Sequence, residues 1–119
     1  MELRQLGSTG IDVSPLGLGT VKIGRNEQVK YPQGFEIPGD HAVSRLFELA
    51  RELGINFIDT APAYGSSEER LGRLLPNRND WVIMTKVGEI FENGESRFDF
   101  SAGHTRRSVE NSLSKLRRH

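Results

Sequence analysis

Short apolar runs of strand length alternate with helix-patterned stretches along this chain, and no other feature of the sequence constrains the fold as much. After a hairpin pattern in "LRQLGSTGIDVSP", the order reads strand, helix, strand, helix, strand, helix. Such alternation argues for parallel strands joined by right-handed crossovers, because a parallel pair needs a connection long enough to carry the chain back along the sheet. The expected class is α/β. The repetition is one of architecture, and no repeat is visible by residue identity.

Each element has its own signals. Leu3 and Leu6, then Ile11 and Val13, alternate around a turn at Ser8-Thr9-Gly10, which predicts a short hairpin. "PLGLGT" predicts a strand in which Gly17 and Gly19 allow close packing or close backbone approach. Residues 21–39 hold Pro32, Gly34, Pro38 and Gly39 without sustained period, so they read as a long loop of a kind that is often functional in compact domains. Asp40 stands where it can cap a helix carrying Val43, Leu46, Phe47, Ala50 and Leu53, with Gly54 as its left-handed stop. "INFID" predicts the next strand. Ser66 and Glu69 have capping-box spacing ahead of a helix through Leu71, Leu74 and Leu75, which Pro76 ends. "WVIMTK" reads as a strand buried on both faces and ending on Lys86. Asn93-Gly94 marks a turn, and a third helix from about His104 puts Val109, Leu113 and Leu116 on one face.

Composition narrows the function classes. The 119 residues suffice for one domain, and 35% hydrophobic and 27% charged residues with zero net charge describe an ordinary soluble globular chain with no bias toward nucleic acid. The basic stretch "RRSVENSLSKLRRH" reads as the solvated face of one helix. With no cysteine, disulfides and thiolate metal sites are excluded, and the scattered His41, His104 and His119 predict no metal site. "MELRQLGSTG" does not read as a signal peptide and no apolar segment has membrane-spanning length, so the expected location is cytoplasmic with no membrane partner.

Candidate chemistry gathers where parallel α/β folds hold it, at the carboxyl ends of strands. Asp59 and Lys86 stand at two such ends, and Tyr64 lies in the loop after the first. On neighbouring strands the three side chains converge. A lysine cation beside a tyrosine favours the phenolate, and an aspartate holds the lysine charged and in place. Such a tyrosine can donate a proton near neutral pH. Two phosphate-loop readings fail: "GTVKIGRN" has Arg25 and Asn26 where a lysine and a hydroxyl are needed, and "GLGTVKIG" misses G-x-G-x-x-G spacing. The loop "RNEQVKYPQGFEIPGD" reads either as a substrate-shaping loop or as a surface lid without substrate contact.

"GINFIDTAPAYGSSEERLG" followed by "VIMTKVG", together with the opening "RQLGSTGIDVSPLGLGT", resembles the aldo-keto reductases over nearly the whole chain. The resemblance implies an N-terminal hairpin plus the first three βα units of a TIM (β/α)8 barrel across residues 1–119, truncated before the fourth strand. It implies NADP(H), with NAD(H) as the alternative, and carbonyl–alcohol interconversion on an aldehyde, ketone, sugar or alcohol. Carried over by position, it implies Tyr64 as proton donor, Lys86 as the group that tunes it and Asp59 as the partner of Lys86. Gly19, Thr20 and Val21, together with Asp59, match positions near the nicotinamide ribose. The family's histidine at the end of the fourth strand and its late phosphate-binding segments have no counterpart here, and His119 follows a helix. Enzyme activity of the chain as given is therefore left open. The rival expectation is a non-catalytic half-barrel fragment or interaction subunit. Unpaired strand edges predict self-association.

Overall fold

The computed structural model describes residues 1–119. Arg4–Gln5 (β1) pairs antiparallel with Asp12–Val13 (β2) in the expected hairpin. Asn56 pins this hairpin to the next layer: its Oδ1 accepts from Ser14 N–H at 2.7 Å, and its Nδ2 donates to Asp12 O at 3.1 Å.

Gly17–Gly19 (β3), Phe57–Asp59 (β4) and Val82–Met84 (β5) form a three-stranded parallel sheet in chain order. The register is unbroken, with Leu18 opposite Ile58 and Ile58 opposite Ile83, and Gly19 opposite Asp59 and Asp59 opposite Met84. Strand side chains alternate between faces. The Leu18–Ile58–Ile83 row meets the helices, where Ile58 is fully buried. The Gly19–Asp59–Met84 row lies on the opposite face. "WVIMTK" is consequently not buried on both faces as its apolar run suggests: its strand is three residues long and Met84 is exposed, because the helices cover one face only.

Asp40–Glu52 (α1) buries Val43, Phe47 and Ala50, while Leu46 and Leu53 of the expected stripe are exposed. Gly54 (φ +84°) supplies the left-handed stop, with its N–H bonded to Arg51 O and the Ile55 N–H to Ala50 O. Asp40 is not the cap. It is the first helical residue, after Gly39, and its carboxylate instead binds Arg70 and Arg73 of Ser67–Leu74 (α2) at 3.0 and 2.7 Å. The Ser66–Glu69 capping box does not form either, because Glu69 pairs with Arg73 one turn on at 2.7 Å. The Arg73 hydrogen bond holds Asp40 and Glu69 below the ordinary carboxylate range.

After β5 the chain makes an antiparallel hairpin of Glu89–Glu92 (β6) and Glu95–Phe98 (β7), turning on Asn93 (φ +53°) and Gly94 (φ +76°). Ala102–Lys115 (α3) follows, its first turn capped by Ser101 Oγ, which accepts from His104 N–H. The expected stripe of α3 is only partly buried: Leu116 is inside, Val109 and Leu113 are exposed, and Ser108 and Ser112 are buried. Helix α3 approaches α2 at Gly72, where a Cβ would stand 2.0 Å from Lys115 O. Only a glycine permits that approach. Ile23, Val43, Phe47, Ala50, Ile58, Leu71, Trp81 and Leu116 make the core. Each of its larger side chains contributes about 1.5–3 kcal/mol by burial. No helix is long and apolar enough to cross a membrane.

Candidate active site

Asp59 is the last residue of β4, and Lys86 lies two residues beyond β5, the adjacent strand. The structure brings both together with Tyr64. The Lys86 ammonium donates to Asp59 Oδ1, to Thr60 O at 3.1 Å and to Tyr64 Oη at 3.2 Å, and lies 4.9 Å from the centre of the Tyr64 ring. Burial works against the Lys86 charge, but hydrogen bonds to Asp59 and Tyr64 and the attraction of those groups outweigh it, so its pKa is held above the ordinary lysine value. Asp59 and Lys86 are both partly open to solvent.

Tyr64 is held by two glycines from different loops. Val21–Ile23 forms a 3-10 turn after β3, and Gly24 then passes so close to the Tyr64 loop that a Cβ there would be 2.0 Å from Tyr64 O. Gly65 (φ +57°) reciprocates, since its Cβ would be 1.9 Å from Gly24 O. The side chain of Arg25, buried to 8% exposure, locks this junction. Its guanidinium donates to Glu27 O, Gln28 O, Ala63 O and Glu89 Oε1, and its carbon sits 3.7 Å from the centre of the Phe91 ring. The long loop, the Tyr64 turn and the β6–β7 hairpin therefore meet on one side chain. Sequence reasoning weighed Arg25 only as a failed phosphate-loop lysine.

Gly19, Thr20 and Val21 sit beside the trio but differ in what they expose. Gly19 opens onto free space on the Asp59 face, with nothing within 4 Å of a built Cβ. Val21 borders a cleft of about 410 Å3 with Gln28, Val29, Tyr31 and Tyr64. Thr20 is buried, and its hydroxyl is committed inward, donating to Asp59 O and accepting from Ser67 Oγ, both at 2.8 Å. Its hydroxyl is a structural tie between β3 and β4. A smaller groove of about 200 Å3, lined by Ile83, Val109, Leu113 and Leu116, contains none of the trio.

This arrangement can pass a proton from a phenol whose developing negative charge faces a fixed cation, on the sheet face that Gly19 shares with Asp59. Residues 15–119 match the model of the aldo/keto reductase family. L-galactose dehydrogenase of Arabidopsis thaliana is 41% identical over 122 residues, which cover 98% of this chain and 34% of that protein. A solved structure from Pseudomonas aeruginosa, classed as an aldo-keto reductase, is 60% identical with a TM-score of 0.87 over 98% of this chain and 43% of its own. The holo form of an aldo-keto reductase from Bacillus halodurans is 32% identical with a TM-score of 0.79, over 99% of this chain and 37% of its own. The chain spans about a third of the length of the curated relatives that it matches.

Proposed function

The chain belongs to the aldo/keto reductase family, and from that premise we propose that residues 1–119 are the first three strand–helix units of a (β/α)8-barrel oxidoreductase that interconverts carbonyls and alcohols with NADP(H). The observation that carries this reading is the Lys86 ammonium bound at once to the Asp59 carboxylate and the Tyr64 hydroxyl. A relative named for a sugar, L-galactose dehydrogenase, supports sugars and related aldehydes, ketones and alcohols as the substrate class.

A nicotinamide over Gly19 is supported by the clear space there, where nothing stands within 4 Å of a Cβ, in register with Asp59. Gly19, Val21 and Asp59 would border it, with Thr20 holding the end of β3 in place from beneath. A bound nicotinamide supplies or accepts the hydride. Tyr64 gives its phenolic proton to the carbonyl oxygen as that oxygen gains negative charge, and takes it back in the alcohol direction. Lys86 stabilises the charge left on Tyr64 Oη. Asp59 keeps the ammonium in place and balances it, so Lys86 does not drift toward the substrate oxygen.

The test is made on the full-length gene product, by cofactor fluorescence titration and by loss of reduced nicotinamide absorbance with an aldose or aldehyde. Saturable NADPH binding with carbonyl-dependent turnover is expected. Failure to bind cofactor at high concentration, or binding without carbonyl-dependent turnover, would overturn the oxidoreductase reading.

A further inference from the structure

One threonine follows the last residue of each parallel strand: Thr20 after β3, Thr60 after β4 and Thr85 after β5. Because Gly19, Asp59 and Met84 are in register, the three threonines form the next row across the sheet. Their hydroxyls go to two consecutive residues of α2. Ser67 Oγ donates to Thr20 Oγ1 and shares a hydrogen bond with Thr60 Oγ1, both at 2.8 Å, while Glu68 Oε2 accepts from Thr85 Oγ1 at 2.9 Å.

These are costly groups to place inside a small protein. Ser67 is fully buried and Glu68 is 2% exposed, and Glu68 Oε1 has no hydrogen-bond partner. A carboxyl group so buried gives up solvation that one neutral hydroxyl does not restore. Packing alone is better served by an apolar side chain of similar volume. What these two residues accomplish is geometric. Beyond the Thr60 N–H bond to Met84 O the backbone ladder of β5 stops, and the Thr85 hydroxyl is the next link before Lys86. On the β4 side, Thr20 Oγ1 holds Asp59 O at 2.8 Å, and Thr60 O accepts from the Lys86 ammonium at 3.1 Å.

We propose that Ser67 and Glu68 are positioning residues, which clamp the three strand ends through the threonine row and so set the place of Lys86 against Asp59 and Tyr64. The functional meaning of this clamp rests on the reading of the trio given above, but its geometry does not. The lysine ε signals report it directly, because a side chain held 4.9 Å from the centre of the Tyr64 ring, 3.2 Å from its hydroxyl and against the Asp59 carboxylate has a chemical shift displaced from that of a free lysine.

The experiment is NMR of the full-length gene product labelled with 13C at lysine ε carbons, with the Lys86 signal assigned by Lys86→Arg and the ring effect by Tyr64→Leu. In Glu68→Ala and in Thr85→Val the Lys86 signal is expected to move to the ordinary lysine position, while the core methyl signals of Ile58 and Leu71 stay in place. Thr85→Ser, which keeps the hydroxyl, is expected to retain the shifted signal. If Glu68→Ala does not fold, the Thr85→Val and Thr85→Ser pair decides alone. An unmoved Lys86 signal in folded Thr85→Val overturns the proposal, as does equal loss in Thr85→Ser. No step of this test uses turnover, so an inactive protein with the expected shifts would remove the enzymatic reading and leave the clamp standing.

Discussion

The Lys86 ammonium stands 3.2 Å from the Tyr64 hydroxyl while its charge is met by Asp59 from the neighbouring strand. On the proposed mechanism, Tyr64→Phe removes the proton donor and leaves the ring in place. Turnover of the full-length gene product is expected to fall about 10²–10⁴-fold, the usual worth of a positioned proton donor. Cofactor affinity should stay the same. Paired turnover and fluorescence titrations check both halves, and unchanged turnover would refute the assignment of Tyr64.

Replacing Lys86 by Met tests the charge. The folded pKa of Lys86 lies above its ordinary value of 10.5. Its pairing therefore stabilises the fold at full strength below that value and is lost as pH climbs through the raised folded value. With the side chain 44% exposed, solvent screening keeps the contribution small. Melting curves of wild type and Lys86→Met are expected to differ by a constant amount from neutral pH up to about pH 10 and to converge above it. Activity, in contrast, should be lost throughout.

Asp40 gives the opposite sign. The hydrogen bond from Arg73 is the largest influence on it, and its pKa lies below the ordinary 3.8. The stabilisation is present above that ordinary value and disappears as pH falls through the depressed one. Asp40→Asn should melt at lower temperature than wild type at neutral pH, and the gap should close in acid. A gap that persists in acid would mean that the contact acts through packing rather than charge.

At the Gly24–Gly65 junction, Gly24→Ala forces a methyl group to within 2.0 Å of Tyr64 O. The expected cost is about 1–3 kcal/mol of stability, as for other forced overpacking. Gly34→Ala, where nothing lies within 4 Å, serves as the control and should melt like wild type. Turnover in Gly24→Ala should fall with the displaced Tyr64 turn.

The order of elements was legible because each strand and helix carries its own period, and the trio was legible because strand ends in parallel folds collect chemistry. Gly54 ends α1 as its position predicts, but the two N-terminal cap assignments failed for a physical reason. Asp40 and Glu69 had the right spacing to cap, but Arg70 and Arg73 offered their carboxylates charged partners, which are stronger than a backbone N–H. The face of α3 misled because that helix buries Ser108 and Ser112 and meets Gly72 through the Lys115 backbone, and small-residue contacts leave no mark in hydrophobic periodicity. A repeat of single residues was present all along in "LGT", "IDT" and "IMT", yet it becomes visible only once the strand ends are aligned.

The alternation of a strand places Asp59 on one face and Thr60, its neighbour in sequence, on the other; Thr85 and Lys86 divide in the same way. Inserting or deleting one residue within β4 or β5 would exchange the two rows, aiming threonines at the open face and burying an aspartate or a lysine among Val43, Phe47 and Leu71. Point substitutions in these strands can be graded, but changes in their length cannot. Natural length variation in such a chain is accordingly expected between Gln28 and Gly39 and at the Asn93–Gly94 turn, with the spacing from Ile58 to Thr60, and from Ile83 to Lys86, held constant.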